Sequence, residues 1–410
     1  MVFKRFAKSN RSALYIGAPE AEAESLPTSK VCLKDVYEDH HNLFEELSHE
    51  KFIIVGRKGC GKSAFAEYAQ NLAMEDANLF CTFIRQDSVS LETLVQLGKS
   101  VGTEQTKEHL FKWLIYTNLL KMFLNNEAAA DSPKFRLLKE FMKKNSGYID
   151  KGEVTELVKK HKFQVNIDQF KRFFKTSFNK DIKIKESRAE YYKLLPHLED
   201  VLVDVLQHKV NVENQNSYVI FFDDLDIGFK ASDTESVDTL LSLIRTSKHV
   251  NNTVFAKNNA SAKVIILIRD DVERLLSPLG ADIAKIFSSY STELNWYQEE
   301  FLNDWKEDQI GLKKLIVKRI DIALTRADIS RLKKCPWDSL VPNEFDPKTS
   351  FKYIADHTLL RPRDFILYFK PLESGRYDIP LSKRDVNSLL GLYSAELIKE
   401  LSIPVIIEVA

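Results

Sequence analysis

The feature that most constrains this fold is a glycine-rich loop placed between a short apolar run and an amphipathic segment. The loop covers residues 56–63 and has the pattern G-x-x-x-x-G-K-S. Residues 52–55 before it are typical of a buried strand, and residues 64–70 after it are typical of a helix. Strand, loop and helix in this order are the context in which the motif binds phosphate. We therefore predict that backbone N–H groups and the helix N-terminus bind an anionic phosphate here.

The residues of this loop have distinct expected roles. Lys62 is expected to reach the β- and γ-phosphates of a nucleotide, and the Ser63 hydroxyl is expected to hold Mg²⁺. The predicted nucleotide-binding residues are Gly56, Arg57, Lys58, Gly59, Cys60, Gly61, Lys62, Ser63 and Ala64.

A second apolar run, residues 218–222, ends in a cluster of carboxylates. Its lack of alternation is typical of a parallel strand covered on both faces, and Asp223, Asp224 and Asp226 follow it. Ligands bind at the carboxyl ends of such strands. We assign Asp223 to Mg²⁺, directly or through water, and Asp224 to the attacking water. Many ATPases carry Glu at the latter place, so the shorter Asp predicts slow or partner-dependent hydrolysis. The alternative is an ordinary strand followed by an acidic turn.

Composition narrows the class of protein. A chain of 410 residues with 44% apolar and 29% charged residues is typical of a soluble protein of two or three domains. The formal net charge of zero predicts no global attraction to nucleic acid or membrane. Four widely spaced cysteines argue against a disulfide framework and fit a reducing compartment. With no signal peptide and no run of 18 apolar residues, we expect a cytoplasmic protein without a membrane span.

Apolar runs alternate with helical patterns, which predicts an α/β fold with a parallel sheet and helices on both faces. The expected strands lie near residues 52–55, 79–84, 218–222, 264–268 and 291–296. The predicted organisation is an N-terminal lead-in (1–33), a first part of the core (34–106), a basic helical insertion (107–211), a second part of the core (212–298) and a C-terminal helical lid or domain (299–410).

The insertion is basic and contains many aromatic residues. From Lys134 to Lys193 there are 17 Lys and Arg against 8 Asp and Glu. One interpretation is a surface for nucleic acid or for an acidic partner. The other, which the helical spacing of the phenylalanines favours, is a helical subdomain with an aromatic core and a solvated lysine face. The interleaved aromatic residues are Phe163, Phe170, Phe173, Phe174, Phe178, Tyr191 and Tyr192.

Two single arginines are further candidates for catalysis. In phosphate-loop ATPases of the additional-strand class, the strand between the two motif strands carries a polar sensor of the γ-phosphate, and Arg269 or Asp270 suits that position. A surface salt bridge of Arg269 with Asp271 or Glu273 is the alternative. Arg245, near the end of the preceding helix, suits an arginine finger directed at a neighbouring subunit.

The segment L-R-P-R-D at residues 360–364 opens a predicted helix, with Pro362 in its first turn. Arg361 and Arg363 at a helix start oppose the helix dipole, so an acidic group is expected to hold them. A bound nucleotide is one candidate, which would make the pair a lid-type sensor. Asp364 or another carboxylate is the other candidate.

Taken together, the motifs at residues 56–63, 219–226, 268–271 and 361–364 resemble those of bacterial phosphate-loop ATPases of the KAP-like and STAND-like group. These relatives of the AAA+ class include stand-alone cytosolic ATPases from prokaryotic defence and mobile-element settings. The resemblance implies a P-loop NTPase core of the additional-strand class, ATP and Mg²⁺ as cofactors, slow or partner-triggered hydrolysis, and nucleotide-controlled assembly with itself or an effector protein. Typical KAP proteins carry membrane helices inside the ATPase domain, so membrane attachment is not implied for this chain.

Two functions therefore stand as expectations. The first is a regulatory ATPase that acts as a nucleotide-controlled switch in bacterial defence or stress response. The second is a DNA-associated AAA+-like ATPase of the initiator or loader type, whose basic insertion contacts the nucleic-acid backbone. A small-molecule kinase is the least favoured, because the sequence contains no evident acceptor site.

Overall fold

The structure is a computed structural model of the chain. It divides into two compact units. One unit comprises residues 1–42, 57–68 and 294–410, and the other comprises residues 43–56 and 69–293. The structure describes residues 13–85, 104–125, 133–144, 164–206, 216–227, 229–230, 232–296, 304–331, 333–341, 345 and 347–407.

The secondary structure alternates strands and helices in the first part of the chain and becomes helical in the last part. The strands are β1 Ile53–Gly56, β2 Leu79–Ile84, β3 Gln164–Asn166, β4 Arg188–Glu190, β5 Ser217–Phe222, β6 Ala262–Arg269 and β7 Ser291–Glu293. The α-helices are α1 Ala21–Ser25, α2 Leu33–Val36, α3 Leu43–Ser48, α4 Lys62–Ala73, α5 Glu104–Leu124, α6 Pro133–Lys144, α7 Asp168–Phe178, α8 Leu195–Leu206, α9 Thr234–His249, α10 Asp270–Leu276, α11 Ala281–Tyr290, α12 Gly311–Arg326, α13 Pro336–Leu340, α14 Ser350–Ala355, α15 Pro362–Phe369 and α16 Lys383–Ile407.

A five-stranded parallel sheet forms the centre of the second unit, in the order β2-β5-β6-β1-β7. The mixed α/β class and the helical C-terminal part agree with the expectation from sequence. Strand β6 lies between β1 and β5, as the assignment of Arg269 assumes. All four residues of β1 are buried, as are the last three of β5, because helices cover both faces of a parallel sheet. The fifth strand is shorter than expected and ends at Glu293.

Helix α5 belongs to the insertion, yet it packs directly on the sheet against β2 and β5. Its apolar residues join one continuous hydrophobic cluster with those of the sheet. Helix α9 packs on α5, β6 and α11. The insertion is therefore not a separate helical subdomain throughout, because its first helix belongs to the core of the second unit.

The remainder of the insertion contains a small antiparallel sheet that the helical pattern did not predict. Strands β3 and β4 pair with Val165 opposite Ala189. Helices α6 and α7 pack together, with the rings of Phe141 and Phe170 4.9 Å apart. Phe170, Phe173 and Phe174 are buried, so for these residues the core interpretation is correct. Phe163 and the segment 152–161, whose apolar spacing also predicts a helix, lie outside the described residues.

The sequence of residues 34–49 is typical of a helix that runs into the first strand, but the structure has two short helices here, α2 and α3, separated by an irregular stretch. Residues 1–30 are polar overall, with an acidic cluster at Glu20, Glu22 and Glu24, which predicts an irregular lead-in. The structure instead places α1 here, and Glu24 is buried.

In the first unit, α12 packs against α2, α13 and α15, and α15 packs against α16. The aromatic centre of this helical part is Trp337, whose indole ring contacts Phe351, Phe365 and Phe369 edge-on. Among the described helices, none is both long and apolar enough to cross a membrane.

Candidate functional site

The glycine-rich loop runs from the end of β1 to the start of α4. Gly59 and Gly61 have φ angles of 82° and 107°, a left-handed region that side chains with a Cβ rarely adopt. The N–H of Cys60 donates to the carbonyl of Arg57 (3.2 Å), and the N–H of Phe65 donates to that of Gly61 (3.0 Å), so the loop turns directly into α4. The glycines of the motif are thus needed for the shape of the turn.

Lys62, the first residue of α4, folds back along the loop. Its Nζ donates a hydrogen bond to the carbonyl oxygen of Arg57 (3.3 Å). Ser63 and Ala64 follow in the first turn and are partly exposed. A cationic amine and a hydroxyl therefore accompany the loop at the N-terminal end of a twelve-residue helix.

Consecutive carbonyl groups of the loop accept hydrogen bonds from donors later in the chain. Nη1 of Arg361 donates to the carbonyl of Lys58 (2.8 Å), and indole Nε1 of Trp296 donates to that of Cys60 (2.6 Å). Between them, the N–H of Arg363 makes a long contact of 3.4 Å with the carbonyl of Gly59. The outer side of the loop is thereby bonded to the segment that begins at residue 294.

Arg361 forms a buried ion pair with Asp364, which is the alternative that the sequence analysis left open. Nη2 lies 2.7 Å from Oδ1 and Nε lies 3.1 Å from both carboxylate oxygens, while Oδ2 accepts the N–H of Arg361 itself (3.0 Å). Burial alone would lower the pKa of Arg361, but the bonds and charge of Asp364 raise it overall. The guanidinium is therefore held as a cation.

Arg363 lies against the loop. Its Nε donates to the carbonyl of Pro19 (3.2 Å). A Cβ added at Gly59 would lie 3.0 Å from Cβ of Arg363, so only glycine fits this approach without a shift of Arg363. The carboxylate of Glu400 lies 3.6 Å from Lys58, 3.5 Å from Arg361 and 3.9 Å from Arg363. These three cations thus share one acidic neighbour.

The second unit carries the other predicted residues, at the carboxyl edge of its sheet. Because the strands are parallel, all of them end at this edge. Along the order β2, β5, β6, β1, the residues at or directly after the strand ends are Arg85, Asp223, Arg269 and Gly56. The edge therefore presents charged groups beside the point where the chain leaves β1 for the glycine-rich loop.

Asp223 is almost fully buried, and its N–H donates to the carbonyl of Ile84 (3.2 Å). Nε of Arg85 lies 3.5 Å from its Oδ2, and the Arg85 guanidinium lies 3.8 Å from the centre of the Phe83 ring. The sequence analysis missed Arg85. Its position directly after β2, next to the strand that ends at Asp223, was the available signal.

Asp224 and Asp226 have different environments although they are close in sequence. Asp224 has a left-handed φ of 59° and is partly exposed. Asp226 is buried, and its Oδ2 accepts the backbone N–H of Arg269 (2.8 Å), which ties the turn after β5 to the end of β6. Asp226 thus has a structural role that sequence alone did not show.

The two single arginines both form ion pairs in this structure. Arg269 bonds through Nε to Asp271 (3.0 Å), which is the salt bridge named as the alternative to a sensor. The Asp270 carboxylate pairs with Arg274 one helical turn on. Nε of Arg245 lies 2.8 Å from Asp282 of α11. The side chains of Arg245 and Arg269 are 31% and 38% exposed. Water therefore screens both ion pairs, and each can open at little cost in free energy.

Comparison with known proteins gives two matches. Residues 311–402, which include α12 to α15 and most of α16, match the family model of the FunZ-associated C-terminal helical domain. The chain is also similar to the transposon gamma-delta 80.3 kDa protein of Escherichia coli (strain K12), with 23% identity over 335 residues. That alignment covers 80% of this chain but only 42% of the relative, so the chain spans less than half the relative's length. No solved structure matches the chain. The KAP-like resemblance stays a prediction.

Proposed function

We propose that this protein binds ATP with Mg²⁺ and hydrolyses it slowly, as a nucleotide-controlled switch or assembly module. The observation that carries the proposal is the shape of the loop at residues 56–63. Positive φ at Gly59 and Gly61, carbonyls bonded on the outer side, and a helix that starts at Lys62 are the features of a backbone anion nest. The motif and the strand before it are those of nucleotide-binding loops.

The residues present suit ATP and Mg²⁺ chemically. Lys62 supplies a cation for the phosphates, while the Ser63 hydroxyl and the Asp223 carboxylate are the oxygen ligands that Mg²⁺ prefers. A Cβ placed on Gly61 would lie 4.0 Å from the side chains of Ala64 and Leu294, so glycine is favoured at this position by its φ of 107° and not by lack of space. When bound, Mg²⁺ would neutralise charge on the transferred phosphate. We assign Asp224 to orientation of the attacking water.

The setting of this activity is also a proposal. The Escherichia coli relative is named for a transposon, and the C-terminal match is to a FunZ-associated domain. Both are in keeping with a protein linked to mobile elements or to defence against them. We propose that the nucleotide controls assembly, either with further copies of the chain or with an effector protein.

The test combines binding, turnover and mass. Equilibrium binding of ATP with Mg²⁺ to the purified protein, steady-state hydrolysis, and mass with and without ATP should be measured for wild type and Lys62→Ala. We expect wild type to bind, to hydrolyse slowly and to change mass with ATP, and Lys62→Ala to lose most of its affinity. Absence of binding by the folded wild type, or unchanged binding by Lys62→Ala, would contradict the proposal.

A second candidate function, contact with nucleic acid, is favoured by the surface of α6 and α7. Arg136, Lys139 and Lys143 recur at helical spacing along one exposed face of α6, and Arg172 is exposed on α7. Within the parts of the chain that the structure describes, these four cations have no ion-pair partner. Unpaired exposed cations are suited to the phosphates of a nucleic-acid backbone.

This second candidate has its own test. Binding of a DNA duplex is measured over a range of salt concentrations for wild type and for a variant carrying Arg136→Gln, Lys139→Gln and Lys143→Gln. Loss of three phosphate contacts should reduce the salt slope of log K by about 2.7. The matched control exchanges three exposed cations of the other unit, Lys370, Arg376 and Arg384, for Gln. Equal slopes in all three proteins would rule out this surface.

A further inference from the structure

The outward carbonyls of the glycine-rich loop are bonded by side chains from residues 294 onward. The carbonyl of Lys58 accepts from Arg361 Nη1 (2.8 Å), and that of Cys60 accepts from Trp296 Nε1 (2.6 Å). Neither donor belongs to the loop motif. Both distances are shorter than the most common N–H···O distance of about 2.9 Å. The side chains of Trp296 and Arg361 are themselves buried.

These bonds act on the anion-binding side of the loop through the geometry of the peptide unit. A trans peptide is planar, so the N–H of one residue points opposite to the carbonyl of the residue before it. A bond that fixes the carbonyl of Lys58 therefore fixes the direction of the Gly59 N–H. In the same way, the bond from Trp296 to Cys60 fixes the N–H of Gly61. Because glycine lacks a Cβ, the backbone at Gly59 and Gly61 is intrinsically free, and these bonds restrain it.

We propose that Trp296 and Arg361 are positioning residues for the nucleotide phosphates: they hold the outward carbonyls of Lys58 and Cys60 and so pre-organise the inward N–H groups of the loop. The inference rests on the proposed function and deepens it. Neither side chain needs to touch the nucleotide. In this role Arg361 differs from the lid-type sensor predicted from sequence, because its hydrogen bonds are directed to Asp364 and to the loop backbone.

Arg361 also connects the loop to the C-terminal helices. Asp364, in the first turn of α15, orients its guanidinium, and Glu400 of α16 lies 3.5 Å away. Arg361 lies within the segment that matches the FunZ-associated domain. A partner that shifts α15 or α16 would displace Arg361, which donates the hydrogen bond to the Lys58 carbonyl. The affinity of the loop for phosphate would change as a result.

The test compares two identical substitutions in the same unit. Trp296→Phe removes the indole N–H but keeps an aromatic ring against His41, whose ring centre lies 4.6 Å away. Trp337→Phe is the matched control, since Trp337 also donates one buried hydrogen bond, to Ser350 Oγ (2.9 Å), and packs on Phe351, Phe365 and Phe369.

Two readouts are taken on folded protein. The first is hydrogen exchange of the Gly59 and Gly61 amides without nucleotide, which does not depend on ATP binding. The second is the dissociation constant of ATP, with kcat where turnover is measurable. For Trp296→Phe we expect faster exchange at the Gly61 amide, whose direction the lost bond fixed, and a dissociation constant about fivefold to tenfold higher, with kcat little changed. A loss of uniform binding raises KM without lowering kcat. Trp337→Phe should leave both readouts as in wild type.

A second variant guards against misfolding at Trp296. Arg361→Lys keeps a charge beside Asp364, but a single ammonium group cannot reproduce the planar fork that bonds to both Asp364 and Lys58. Arg361→Lys should speed exchange at the Gly59 amide and raise the dissociation constant of ATP, because the bond it weakens is the one to the Lys58 carbonyl.

The outcomes separate this inference from the proposed function. If wild type binds ATP, Lys62→Ala does not, and both Trp296→Phe and Arg361→Lys exchange and bind like wild type, only the positioning role is overturned. If Trp337→Phe shifts the readouts as much as Trp296→Phe, the effect is general destabilisation and the inference is wrong. If wild type binds no ATP, the proposed function fails and the positioning role fails with it, even where loop exchange responds to Trp296→Phe.

Discussion

Arg319 and Glu24 form a doubly hydrogen-bonded ion pair in the interior, with Nη1–Oε1 and Nη2–Oε2 distances of 2.7 Å each. Both side chains are buried. The pair is also bonded to backbone on either side: Glu24 Oε1 accepts the N–H of Ala18 (2.8 Å), and Arg319 Nη1 lies 3.4 Å from the carbonyl of Ile16. It therefore ties residues 16–24 to α12, within the same unit.

Removal of one partner of this pair should be costly. Glu24→Gln leaves the Arg319 charge buried without its counter-charge, and we expect a loss of about 3–5 kcal/mol in the free energy of unfolding. The matched control is Asp35→Asn, which breaks the exposed pair of Asp35 with Arg326 (3.2 Å) in the same unit. That change should cost at most about 1 kcal/mol. Denaturant unfolding of the two variants and wild type checks the difference, and equal losses would contradict it.

Gly17 should not tolerate a side chain. Its φ is 151°, and a Cβ there would overlap both Arg319 Nη1 and Glu24 Oε1. We expect Gly17→Ala to lower the free energy of unfolding by about 2 kcal/mol or more, because strain and displacement of a buried ion pair add.

The same substitution at Gly391 should have the opposite sign. Gly391 is exposed within α16, and a Cβ there would meet no atom within 4 Å. Ala is better than Gly in a helix interior by about 1 kcal/mol, so Gly391→Ala should stabilise the protein. Thermal unfolding of the two variants provides the measurement. A stabilising Gly17→Ala would show that the ion pair can move aside without cost.

The pattern of apolar residues predicted the central sheet well. Strands β1, β5 and β6 contain uninterrupted apolar runs, which is the pattern expected of parallel strands covered on both faces. The charged residues directly after β5 and β6 were singled out for a related reason, because the carboxyl ends of parallel strands lie at one edge of the sheet. The same rule applies to Arg85, which directly follows β2, but neither sequence motif includes β2.

Contacts between distant parts of the chain could not be predicted. Glu24 is separated from Arg319 by 295 positions, and Cys60 from Trp296 by 236. Nothing in the sequence around Glu24 distinguishes a glutamate with a buried partner from one on the surface. The segment that contains Trp296 was predicted to be a strand, so no contact with the loop was expected. The antiparallel pair β3–β4 was missed because three-residue strands lack a period long enough to detect.

Acidification from about pH 7 to below the ordinary histidine pKa of about 6.5 should destabilise the protein. Burial is the main cause of a lowered pKa at four histidines, so the unfolded state, with a pKa near 6.5, binds protons that the folded state does not. Stability from these groups is present above pH 6.5 and is lost as the pH falls towards the lowered folded values. The histidines are His40, His109, His197 and His249.

The measurement is thermal unfolding as a function of pH. Glu273 should have the opposite effect on stability, because burial and then the nearby Glu293 raise its pKa in the folded protein. It is a single group, whereas four histidines have lowered pKa values. His40→Gln should make the melting temperature depend less on pH, because His40 is largely buried in the folded protein and contributes one of the four lowered pKa values. A melting temperature that does not fall over this range would contradict the prediction.

Asp224→Asn should spare nucleotide binding and lower hydrolysis, under the role proposed for this carboxylate. Asn lacks the charge that orients and accepts a proton from water, so kcat should fall by about 10²-fold or more. The backbone should not suffer, because Asn tolerates the left-handed φ of 59° at least as well as Asp.

The same exchange two residues later is the matched control. Asp226 uses its Oδ2 to accept the N–H of Arg269, and Asn can still accept that bond through Oδ1. Steady-state hydrolysis and ATP binding are measured for Asp224→Asn, Asp226→Asn and wild type. We expect Asp226→Asn to hydrolyse close to wild type, because its side chain is committed to the backbone of β6. Normal hydrolysis by Asp224→Asn would remove Asp224 from the reaction, and the water would then need another base.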